Sequence, residues 1–119
     1  MTKRRSNPDF LNGVPELLVL KLLSRRPMYG YELVQAIQRD SKDLLKFGEG
    51  CIYPVLHRLE QEGHLASRRQ VVAGRSRVVY RATRSGHRRL AKSVALWQGI
   101  VGAVGGILQG GEHEQAAVA

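Results

Sequence analysis

The sequence predicts a mainly α fold with a small β-hairpin, ending in one long helix. Three observations lead there. Apolar residues recur at helical spacing in three short segments before Gly63, two partly β-branched segments flank Ala73-Gly74, and a heptad-like seam runs from Leu90 to Leu108. A chain of 119 residues is normally one domain with one modest core, so further stability has to come from a partner subunit.

Residues 1–12 read as a flexible basic arm containing Lys3, Arg4 and Arg5. Val14, Leu17, Leu18, Leu22 and Leu23 then mark a first helix, which Arg25-Arg26-Pro27 closes with cations and a proline stop. Gly30 sits in a short connection. A second helix is expected from Glu32 to Arg39, burying Tyr31, Val34 and Ile37, and Ser41 to Phe47 reads as a loop or short strand. Gly48 to Gly63 carries a third helix whose inward stripe is Ile52, Val55, Leu56 and Leu59, with Gly63 as a left-handed C-terminal cap. Pro54 removes a backbone bond and crowds the residue four positions back, so it belongs in the first turns; that residue is Gly50, whose freedom helps.

Leu65–Val72 and Arg77–Thr83 alternate enough to pair as an antiparallel hairpin joined by Ala73-Gly74-Arg75-Ser76, with a basic tip. Thr83 is placed to cap a last helix running from about Arg84 to Leu108. On it Leu90, Val94, Trp97, Val101, Val104 and Leu108 form the seam of a coiled-coil-like contact, which a lone helix cannot hide. Residues 109–119 lack periodicity and read as a frayed, disordered tail. The domain organisation expected is therefore an arm (1–12), a helical and hairpin domain (13–83), a dimerisation helix (84–108) and a tail (109–119).

Nineteen Lys and Arg against ten Asp and Glu leave a formal charge of +9, which suits a polyanion such as nucleic acid or an anionic membrane surface. The single Cys51 excludes an internal disulfide and fits a cytoplasmic protein. Its place near a helix start allows a lowered thiol pKa, against the plainer role of a small packing residue. The basic start has no apolar stretch behind it, which argues against secretion, and Val94–Leu108 falls short of the ~20 residues that a membrane span needs. His57, Glu60 and His64 lie about a turn apart but lack a fourth ligand, so no metal and no cofactor is implied. The chain carries no phosphate loop, nucleophile elbow or acid/base pair, which speaks against an enzyme.

Three helices followed by a basic hairpin is the order of a winged helix-turn-helix, whose third helix enters the major groove of double-stranded DNA. Tyr53, His57, Arg58 and Gln61 fall on the polar side of that helix, and Gly50 and Cys51 stand at its start. Arg75 and Arg77 on the hairpin are the expected phosphate contacts, with Tyr29, Lys46 and the arm as weaker ones. A reading of another class remains open: a membrane-associated or protein-partner adaptor that docks through Trp97–Leu108.

The runs Pro27-Met28-Tyr29-Gly30-Tyr31-Glu32-Leu33, Glu49 to Gly63 and Gly74 to Thr83, with Gly86, resemble the PadR family of transcriptional regulators over about residues 11–108. The resemblance implies a homodimer, usually a repressor, that binds an inverted-repeat operator and dimerises through its last helix. It also implies a tolerated Pro54 near the start of the recognition helix. Some members hold a flat aromatic effector at the dimer interface, stacked on a tryptophan of that helix. Trp97 stands at the similar position, and Val14, Leu18, Val94 and Val101 would line the same cavity; a seam-packing role for Trp97 is equally open. The chain departs from the family pattern at Gly48, at Ala82 and in Gly99, Gly102, Gly105 and Gly106, which cost ~1 kcal/mol each relative to alanine in an exposed helix.

Overall fold

The structure, a computed structural model, describes the backbone of residues 13–118 and the side chains of residues 13–110. The expected arm, with Lys3, Arg4 and Arg5, lies outside the described residues. The elements in order are α1 (Val14–Arg25), β1 (Met28–Tyr29), α2 (Gly30–Asp40), α3 (Glu49–Gln61), β2 (Leu65–Val72), β3 (Arg75–Ala82) and α4 (Arg84–Val118). The strands form an antiparallel sheet in the order β1-β3-β2.

Pro15 lies in the first turn of α1, where its missing N–H is no loss. Leu20 and Val19 of α1, Leu33 of α2, and Ile52, Leu56 and Leu59 of α3 are the fully buried centre of the core. Burying each such side chain contributes about 1.5–3 kcal/mol. The face of α2 differs from expectation. The helix begins at Gly30, so Gly30, Leu33, Ala36 and Ile37 turn inward while Tyr31, one position round, is 44% exposed.

Helix α3 ends as expected. Gly63 has φ +83°, its N–H donates to the Glu60 carbonyl (3.0 Å), and the next N–H, of His64, donates to the Leu59 carbonyl (2.8 Å). These paired bonds satisfy carbonyls that the helix end leaves free. Pro54 is accommodated inside the helix, opposite a Gly50 that has open space around it.

The hairpin turn is tighter than expected. Ala73 and Gly74 alone make it, with φ of +53° and +78°, the left-handed pair that matches strand twist in a two-residue hairpin. Arg75 and Ser76 are therefore strand residues, paired with Val72 and Val71. Strand β1 was not anticipated, because two residues show no alternation; its Met28 and Tyr29 pair with Tyr80 and Val79.

Thr83 caps α4 as expected: its Oγ1 accepts from the Gly86 N–H (3.1 Å) and donates to the Gly63 carbonyl (2.7 Å). The helix runs on to Val118, past Leu108, where a frayed tail of 109–119 was expected. Glu112, Glu114, Gln115, Ala116 and Ala117 favour helix individually, although they carry no apolar period. Of the seam, Leu90 is buried and Val94 half-buried against the core, while Trp97, Val101, Val104 and Leu108 are exposed on the single chain.

Candidate nucleic-acid interface

Along α3, Glu49, Gly50, Pro54, His57 and Gln61 are exposed and Tyr53 is half-buried. The Tyr53 ring lies across Gly30 at the start of α2 and sits 6.2 Å from the His57 ring, tilted by 42°. Lys46 is exposed in the loop before α3. Cys51 is half-buried against the core, and burial pushes its thiol pKa up. That is the opposite of the lowering a reactive thiolate needs.

Arg58, expected among the DNA contacts, is exposed and ion-paired. One position beyond His57, it swings toward α1, where its Nη2 bonds Glu16 Oε1 (3.0 Å), and its Nη1 lies 3.5 Å from Glu62 Oε1 one turn on. The other oxygen of Glu16 takes Nε of Arg89 on α4 (2.9 Å). Burial on its own raises the Glu16 pKa, but the hydrogen bonds and charges of Arg89 and Arg58 outweigh it and hold the carboxyl below its ordinary value. Glu16 gave no sequence signal beyond an acid in a first helical turn, because its partners lie far along the chain.

Cross-strand register gives the sheet two distinct faces. Ser67 points to α3 and donates to Glu60 Oε2 (2.6 Å). The alternate residues Arg68, Gln70 and Val72, opposite Val79, Arg77 and Arg75, share the other face with Arg81 and Tyr29. Arg77 is thus within the sheet rather than at the tip. Its guanidinium carbon stacks 4.5 Å above the Tyr29 ring, and its Nε is buried without a hydrogen-bond partner among the described residues. Arg75 is exposed beside the turn. Tyr29 is fixed from below, since its N–H donates to Glu32 Oε1 (3.2 Å), whose second oxygen pairs with Arg26 (3.0 Å).

The trio weighed for metal points apart: Glu60 takes Ser67, and His64 Nδ1 meets Ser85 Oγ at 2.7 Å.

A cleft of about 350 Å³ opens between α1 and α4. Val14 and Trp97, two of the five residues expected around an effector cavity at a dimer interface, line this cleft within the single chain, joined by Leu17, Leu96 and Ile100, with Glu16 and Arg89 at its polar side. Three expected lining residues lie elsewhere. Leu18 faces a separate groove with Ile37 and Leu45, Val94 packs on the core, and Val101 is exposed outside the cleft. Leu96 and Ile100, four residues apart, are one helical face that the seam pattern passed over.

A family model described as the transcriptional regulator PadR-like family matches residues 19–92. The chain is 36% identical over 84 residues to transcriptional regulator Rv3488 of Mycobacterium tuberculosis, covering 71% of this chain and 76% of that protein. It is similar to the crystal structure of a PadR family transcriptional regulator from Eggerthella lenta (TM-score 0.74, 33% identity, 85% of this chain and 87% of that one). It is similar also to a PadR-like regulator from Bacillus cereus (TM-score 0.75, 28% identity, 86% of this chain and 98% of that one). Matched through the core helices, the sheet and the first turns of α4, the chain belongs to the PadR-like family of transcriptional regulators, whose members are not enzymes.

Proposed function

We propose that this chain is a cytoplasmic repressor that binds an inverted-repeat operator in double-stranded DNA as a homodimer. Helix α3 enters the major groove, and the sheet arginines meet the backbone beside it. The observation that carries this reading is a chain of contacts: Tyr53 on α3 rests on Gly30, and Gly30 follows Tyr29, whose ring Arg77 covers. Polar groove contacts on α3 and a phosphate-binding cation are thereby held on one rigid support. Glu49, Gly50, Tyr53, His57 and Gln61 are the groove-facing set, Arg75 and Arg77 the backbone contacts, and Lys46 a peripheral one.

The second copy belongs on α4, where Leu96, Trp97, Ile100, Val101, Val104, Ile107 and Leu108 are exposed on the single chain. An apolar stripe of that length on a soluble regulator is covered by a partner. A small planar aromatic effector fits the α1–α4 cleft, where Trp97 offers a stacking face and Val14 and Leu17 an apolar wall.

The decisive measurement is binding to the promoter of the protein's own operon as a function of salt. The wild type should form a discrete complex whose affinity falls steeply with salt, and Arg75→Ala with Arg77→Ala should flatten that slope by about 0.9 for each phosphate no longer neutralised. An unchanged slope removes the sheet from the interface. A second reading has one observation behind it: Arg84–Gly110 is long enough to cross a membrane and holds an 18-residue stretch of mean hydropathy 1.3, 6% of it buried. Flotation with anionic liposomes separates the two, because a DNA-binding dimer with α4 covered stays with the soluble fraction.

A further inference from the structure

We infer that Glu16 is a positioning residue that sets the angle between the recognition helix α3 and the dimerisation helix α4, and with it the half-site spacing that the dimer accepts. This rests on the DNA-binding reading above. The two helices are joined at their junction by several short bonds: the Thr83 hydroxyl starts α4 and donates to the Gly63 carbonyl at the end of α3, the Thr83 N–H donates to the His64 carbonyl (3.1 Å), and His64 Nδ1 meets Ser85 Oγ (2.7 Å). These bonds all gather at one end of each helix and leave the angle between the helices to contacts farther along them. Glu16 supplies such a contact from α1, which packs against both helices: Oε1 holds Arg58 of α3 at 3.0 Å and Oε2 holds Arg89 of α4 at 2.9 Å.

The fork has the properties of a rigid tie. The Glu16 side chain is 16% exposed, better shielded than the Arg58 and Arg89 side chains that it holds, which are 45% and 43% exposed. Each oxygen serves a different helix, so neither arm can shift without losing a charge-assisted bond. Removing the carboxylate would also leave two guanidinium groups facing each other. Because the dimer doubles any change in one subunit, a small rotation of α3 about its junction with α4 moves both recognition helices along the duplex. One base pair of spacing corresponds to about 3.4 Å along the axis and roughly a tenth of a turn.

The test uses the full-length protein and three synthetic duplexes, in which the half-sites of its footprinted operator are kept at native spacing or moved by one base pair either way. A duplex with one half-site serves as control. Wild type should discriminate against the shifted duplexes by at least about ten-fold, as a geometrically fixed dimer does. Glu16→Gln should bring that ratio below about three-fold while leaving affinity for the single half-site unchanged. Arg89→Gln breaks only the α4 arm at an exposed residue and should relax spacing in the same way, which keeps the question open to measurement if Glu16→Gln does not fold. Wild-type discrimination retained in folded Glu16→Gln or in Arg89→Gln would overturn the inference alone. Absence of any spacing preference in wild type would overturn it together with the reading beneath it.

Discussion

The Tyr53 ring occupies the space that any side chain at position 30 would need. A Cβ built on Gly30 would lie 2.6 Å from Cε1 of that ring, well inside contact distance. Gly30→Ala therefore forces Tyr53 off α2, and overpacking of this kind costs about 1–3 kcal/mol. Urea unfolding should show the loss. DNA affinity should fall further than stability alone explains, since Tyr53 faces the proposed groove; a variant with wild-type midpoint and affinity would show that the ring moves freely.

Gly86 meets a harder obstacle. Its Cβ would collide with the backbone carbonyl of His64, and that carbonyl already accepts the Thr83 N–H at 3.1 Å. A side chain can swing aside where a backbone group in a cap cannot. Gly86→Ala should accordingly lower stability by more than Gly30→Ala, on the order of 3 kcal/mol or above. Thermal melts of the two variants side by side give the order, and the reverse order would mean that the α3–α4 junction yields easily.

The features legible in the sequence were those that a few neighbouring residues decide. The Gly63 cap, the Thr83 cap, the tolerated Pro54 and the first helix all depend on residues within a turn or two. Errors arose where a distant partner decides. Tyr31, expected inside, is exposed because α2 begins at Gly30, right after Tyr29 pairs with Val79, fifty residues on. Arg58 is solvent-exposed as a helical wheel expects, but its ion pair with Glu16, 42 residues earlier, left no mark in the local sequence. The cleft was half legible: Val14 and Trp97 line it, but the tilt that brings Leu96 and Ile100 there instead of Val94 and Val101 is a property of packing.

Glu16 also makes an acid-sensitive contribution to stability. Its folded-state pKa lies below the ordinary value because two arginines hold the carboxylate. The folded form therefore binds this proton less readily than the unfolded chain. The contribution is complete above the unfolded value, about 4.3, and is lost as pH falls through the lower folded one. Denaturant midpoints of wild type and Glu16→Gln should differ at neutral pH and converge in strong acid. A constant gap down to the lowest pH would mean that packing, not charge, accounts for the difference.

The glycines of α4 give a prediction of opposite sign. Gly99 and Gly106 lie on the helix face turned away from the Trp97–Val101–Val104–Leu108 seam, and among the described residues nothing beyond the helix's own neighbouring backbone lies within 4 Å of where a Cβ would be placed on either. A methyl group there meets no clash, and it removes backbone freedom that the unfolded chain otherwise keeps. Gly99→Ala and Gly106→Ala should each stabilise the protein by up to about 1 kcal/mol, nearly additively because they are two turns apart. The dimer should form as before, since the substituted face is not the one proposed to meet the partner. Sedimentation and thermal melts of the double variant check both statements. If the melting temperature rises while dimers are lost, the partner helix packs on the glycine face, and the seam assignment along α4 has to be rotated by about half a turn.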